Sequence, residues 1–71
     1  SRRSIREKLL CYCRLHAGPN GDSFELPFSL SALAAYICAD RSAMMRELKR
    51  MREEGLLSFE KRRVRLNLNK S

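Results

Sequence analysis

The 71-residue sequence has no tryptophan, two prolines, three glycines and one histidine. No apolar run approaches the roughly 20 residues that a membrane-spanning helix needs. The opening Ser1-Arg2-Arg3-Ser4 does not begin a signal peptide. Three cysteines is an odd number, which argues against a secreted disulfide framework and fits a reducing cytoplasm. There is no internal repeat and no low-complexity segment. A glycine-rich phosphate loop, paired carboxylates and a nucleophile–base set are all missing, so no enzyme activity is expected and no cofactor is implied. Ser58-Phe59-Glu60-Lys61 matches the Ser-x-x-Lys string of some acylases, but it spans a strand end and a hairpin, with no pocket implied. Acids are scarce as well: 8 Asp and Glu stand against 15 Lys and Arg, for a net charge of +7.

What is present suits one small domain over residues 1–71. Hydrophobic residues make up 44% and charged residues 32%, so a core can form, though a chain this size buries only about 60% of its unfolded surface. Eleven of the fifteen cations are arginine, whose planar fork suits phosphates and guanine edges. Their distribution is uneven. Residues 1–16 carry +4, 17–40 carry −3, 41–59 carry +2 and 60–71 carry +4. A basic domain with its cations on particular elements points to a polyanion partner.

Ser4-Ile5-Arg6-Glu7 fits a capping box, and Ile5, Leu9, Tyr12, Cys13 and His16 follow helical spacing. The first helix is expected at about 4–16. Residues 17–22 are dense in turn formers and read as a loop. Ser23-Phe24-Glu25-Leu26 is a weak strand signal, confined to a sheet edge by Pro27. Ser29 is an N-cap for a second helix at about 30–37, buried through Leu30, Leu33, Ala34 and Ile37. Asp40 caps a third helix from Arg41 to about Glu54, with Gly55 as its stop. The short gap between these two helices is a helix-turn-helix spacing. Leu56–Glu60 and Val64–Leu68 alternate as two strands of a hairpin with Lys61, Arg62 and Arg63 at its tip. The turn lacks the usual glycine or asparagine, so its type is open. The order helix, strand, helix, helix, strand, strand is mainly α with a small antiparallel sheet, the layout of a winged helix-turn-helix domain.

At about 100° per residue, Met44, Leu48 and Met51 form a narrow apolar stripe on the third helix. Arg41, Ser42, Met45, Arg46, Lys49, Arg52 and Glu53 fall on the opposite arc. An α-helix fits the major groove of B-DNA, and its N-terminal residues normally meet base edges. Arg41, Ser42, Met45 and Arg46 occupy that position.

Leu26-Pro27-Phe28-Ser29, Leu33-Ala34, Arg41, Arg46, Leu48 and Gly55-Leu56-Leu57 together resemble the C-terminal domain of the Crp/Fnr family of bacterial transcription regulators. The likeness runs from about Ile5 to Leu66. It implies a winged-helix, cytoplasmic DNA-binding domain whose third helix enters the major groove, with Arg41 and Arg46 reading bases. In the family such a domain follows a sensor domain and a dimerisation helix, both absent here, and residues 1–3 then read as a linker or expression remnant. The resemblance also implies a palindromic operator for the full-length dimer, with RNA polymerase as a further candidate partner. Two departures matter. Where the family usually has Arg-Glu-Thr, this chain has Arg41-Ser42-Ala43, so the family's half-site does not transfer. Where its turn usually has glycine, this chain has Cys38, so either the turn differs or Cys38 is strained.

The phosphate contacts are then assigned to Ser29, Lys49, Lys61, Arg62 and Arg63. The alternative is a winged-helix interaction module that docks an acidic protein partner on the same basic faces. A membrane-surface role is disfavoured because the apolar stripes are needed for the core. Cys11 and Cys13 point about 200° apart on a helix, and Cys13 with His16 supplies only two ligands, so no metal site is expected. Tyr36 and Phe28 could stack on bases, but their positions favour core packing. No stripe resembling a dimerisation seam remains, so the isolated domain is expected to be a monomer.

Overall fold

A computed structural model describes residues 3–17 and 23–67. Six elements follow in chain order: α1 (Ile5–Ala17), β1 (Ser23–Glu25), α2 (Leu30–Tyr36), α3 (Arg41–Glu53), β2 (Leu57–Glu60) and β3 (Arg63–Leu66). This is the winged helix-turn-helix order expected from the sequence. Residues 1–2, positions 18–22 of the loop expected at 17–22 and Leu68 of the last expected strand lie outside the described residues, while Ala17 is the last residue of α1 and not part of the loop.

Each helix starts where a side chain can occupy its orphan backbone donors. Ser4 and Glu7 form the reciprocal capping box: the Ser4 N–H donates to Glu7 Oε1 at 2.8 Å, and the Glu7 N–H donates to Ser4 Oγ at 3.1 Å. Ser29 Oγ accepts from the Ala32 N–H at 3.2 Å. Asp40 Oδ2 accepts from the Ala43 N–H at 3.0 Å.

Helices α2 and α3 end with one hydrogen-bond pattern built on different residues. After α3 the Leu56 N–H donates to the Met51 carbonyl at 2.9 Å and the Gly55 N–H to that of Arg52 at 3.0 Å. After α2 the Ala39 N–H donates to the Ala34 carbonyl at 2.9 Å and the Cys38 N–H to that of Ala35 at 3.1 Å. Both are Schellman caps, which need a left-handed residue just past the helix. Gly55 adopts φ 78° without penalty, whereas Cys38 sits at φ 59° with a Cβ to accommodate. The turn after α2 therefore takes the left-handed form that glycine would enter freely, and Cys38 carries the strain.

The sheet order is β1-β3-β2, antiparallel throughout, with β3 in the centre. The proline-terminated β1 is an edge strand, as Pro27 requires. The hairpin turn is tighter than the expected three-residue tip. Lys61 and Arg62 alone form it, Arg63 opens β3 opposite Glu60, and Lys61 takes the left-handed φ of 56°. The Leu26 N–H donates to the Arg62 carbonyl at 2.7 Å, which pins the turn's backbone to the body of the domain.

One core joins the layers. Leu9, Tyr12 and Cys13 of α1 meet Leu33 and Ala34 of α2, the α3 stripe and the inner sheet residues Leu57, Val64 and Leu66. Met44 and Met51 are fully buried. The expected core role of Tyr36 fails: it is 66% exposed, at the solvent side of the short helix α2. Its ring instead meets Tyr12 edge-on at 5.6 Å and lies 6.2 Å from Phe28, itself only half-buried. His16 is exposed, and its ring stacks on Tyr12 at 4.2 Å.

Candidate nucleic-acid interface

Helix α3 buries Met44, Leu48 and Met51 and so fixes which side chains face out. Arg41, Ser42, Arg46, Lys49, Arg52 and Glu53 are exposed, and Met45 is half-buried at the border of the core. The four residues expected to read bases thus share the first turns of one helix. Arg41 Nε donates to Ser31 Oγ of α2 at 2.7 Å. That bond orients the guanidinium across the seam between the two helices and leaves its terminal nitrogens available. The Arg52 guanidinium lies 5.1 Å from the centre of the Phe59 ring on β2, a cation–π contact that ties the end of α3 to the wing.

Of the two acids of α3, Glu53 stays on this exposed arc and Glu47 lies elsewhere. Glu47 is largely covered and faces α1, where Arg6 Nε donates to it. The other two guanidinium nitrogens of Arg6 reach Glu54 at 2.8 and 2.9 Å, a bidentate pair. Arg50 approaches Glu47 at 3.5 Å. Hydrogen bonds to Glu54 and Glu47 raise the Arg6 pKa, and the Arg6 bond holds the Glu54 carboxyl below its ordinary value. Nothing local in the sequence signals this clamp, because its partners lie 41 and 48 residues apart. Its effect is a sorting of charge: α3 turns Glu47 towards α1 and leaves Arg41, Arg46 and Lys49 with no ion-pair partner among the described residues.

In the wing, Lys61 and Arg62 are exposed at the turn. Arg63 differs from them. It faces Glu25 of β1 at 3.8 Å and stands opposite Glu60 in the β2 register. Arg65 is exposed on the same outer sheet face, between Ser23 and Ser58 in register. It was not singled out from the sequence, although the alternation Arg63-Val64-Arg65-Leu66 carried the signal. Ser29 is exposed, and since its oxygen accepts from Ala32 its hydroxyl can still donate outward.

Burial pushes the Cys13 thiol up to about 11, so it packs as a small apolar group. Among the described residues, no three of His, Cys, Asp and Glu gather as a metal site would need. No helix there is long and apolar enough to cross a membrane.

Comparison with known families finds that the Crp-like helix-turn-helix domain matches residues 8–69. No curated protein matches the chain.

Proposed function

Since the chain belongs to the Crp-like helix-turn-helix family of DNA-binding domains, we propose that it is the sequence-reading output domain of a bacterial transcription regulator. Helix α3 lies in the major groove of duplex DNA. Arg41, Ser42, Met45 and Arg46 meet base edges, and Ser29, Lys49, Lys61, Arg62 and Arg63 meet phosphate. The observation that carries this reading is the charge sorting on α3. An arc with Arg41, Arg46, Lys49 and Arg52 against the single acid Glu53 is what a groove lined by phosphates selects.

Each side chain suits its assigned contact. Arg46 has room for a bidentate bond to guanine O6 and N7, worth about 1–3 kcal/mol of discrimination. Ser42 replaces an acid that would accept from a cytosine amino group, so discrimination at that base is looser. Met45 offers an apolar surface to a thymine methyl. Lys61 and Arg62 supply sequence-independent attraction and its salt dependence. The domain acts without catalysis or cofactor, and alone it is a monomer that occupies one half-site.

Selection of bound duplexes from a random library, followed by gel shift at low and moderate salt, tests this reading. A recovered motif and steep weakening with salt are expected. Failure to bind any duplex at low salt would refute it and favour an acidic protein as the partner of these faces.

A further inference from the structure

The two large apolar side chains most exposed among the described residues are Leu15, at 76%, and Tyr36, at 66%. They line one cleft. It lies between α1 and the end of α2, with Tyr12 and Ile37 in its wall, and measures about 240 Å³. A second cleft of about 480 Å³ runs along the outer side of α1 past Leu10. The two share Arg3, Cys11 and Leu15, so they adjoin as one furrow along α1.

The furrow is apolar in its floor and basic at its rim. Arg3 and Arg14 border it, and no acid pairs with either among the described residues. Lys8 lines the inner cleft, with its Nζ donating to the Ile37 carbonyl at 3.0 Å. The one acid in either cleft is Glu7, whose carboxylate is occupied by the capping box. This flank is separate from the side of α1 that faces α3 through Arg6.

We propose that this furrow along α1 docks an acidic amphipathic helix of a partner protein. Leucine-type residues of that helix pack beside Leu15, Cys11 and Tyr36, and its flanking carboxylates meet Arg3, Lys8 and Arg14. Both clefts are open to solvent, whereas small-molecule pockets usually enclose their ligand in about 300–1,000 Å³. An exposed apolar patch with a charged rim marks a protein interface. A helix laid in a groove gives the matching spacing of anchors.

The test uses amide NMR titration of the domain with a designed helical peptide of about 18 residues, leucine along one face and glutamate beside it. The acidic peptide should shift α1 and Tyr36, and a version with lysine in place of glutamate should not bind. Leu15→Glu should weaken the acidic peptide at least ~10-fold, as loss of a central apolar anchor does. Its melting temperature and DNA affinity should stay unchanged, because Leu15 is outside the core and the α3 arc. Equal binding to Leu15→Glu would overturn the proposal. So would shifts centred on α3 and the wing, equal binding of a peptide with its leucines scrambled, or self-association of the domain through this face.

Discussion

The two flanks of α3 use their cations in opposite ways. On the flank facing α1, Arg6 and Arg50 are matched by Glu47 and Glu54 at hydrogen-bond or ion-pair distance. On the outward flank, Arg41 is steadied by a serine hydroxyl, and Arg46 and Lys49 have no acid partner among the described residues. Matched cations hold helices together. Unmatched ones keep a field directed outward, where a polyanion can neutralise it. Composition alone does not separate the two uses, since the 15 Lys and Arg are counted alike.

The largest expected effect is on the outward flank. Arg46→Ala should lower affinity for a selected duplex by about 1–3 kcal/mol while random DNA loses less. The melting temperature should not move, because Arg46 is exposed and has no ion-pair partner among the described residues. Equal losses on selected and random DNA would reduce Arg46 to a phosphate contact.

Arg6→Ala breaks the other side of the comparison. It removes three charge-assisted bonds in a partly covered network, so the domain should lose about 1 kcal/mol of stability. DNA affinity of the folded variant should be retained. The pH dependence sharpens the point. Because Arg6 holds the ionised Glu54 carboxyl below its ordinary value, the stability it adds is present above the unfolded carboxyl pKa, about 4.3, and is lost as pH falls through the folded value. The gap in melting temperature between wild type and Arg6→Ala should be constant near neutrality and close in acid.

A smaller contrast lies within the wing. Lys61→Ala and Arg62→Ala should each weaken all duplexes alike and reduce the salt slope by about one per lost phosphate contact. Arg63→Ala should do less, since Glu25 and Glu60 already flank that residue on the sheet. Three equal slopes would mean that this acidic screen is absent in the complex.

The smallest effect concerns the two helix caps. Cys38→Gly relieves a left-handed residue with a Cβ, a strain of about 1–2 kcal/mol. It also adds unfolded-state freedom worth about 0.4–1 kcal/mol. Thermal unfolding should show a net gain of a few degrees. No gain, or a loss, would show that the turn after α2 tolerates Cys38 without strain.

The element order was legible because it rests on local chemistry. Ser4 with Glu7, Ser29 and Asp40 start helices by capping, and Gly55 ends one. The stripe of Met44, Leu48 and Met51 fixed the outward arc by periodicity alone. The Arg6 clamp was not legible, because it joins residues far apart in the chain. The two-residue hairpin turn was also hidden, since Lys61 takes a left-handed conformation that glycine or asparagine would ordinarily announce. Tyr36 was misplaced because α2 is too short for its spacing to show which edge of the helix reaches solvent. The sorting of arginines into structural and outward ones needed the packed helices.

Amide and arginine side-chain NMR of the domain, titrated with a selected duplex at two salt concentrations, tests the central claim most directly. The account predicts that shifts centre on Arg41, Ser42, Met45, Arg46 and Lys49, extend to Lys61 and Arg62, and fade with salt. Arg6 and its carboxylate partners should stay unperturbed. Shifts centred on α1 or the outer sheet face, with the outward arc of α3 silent, would contradict it.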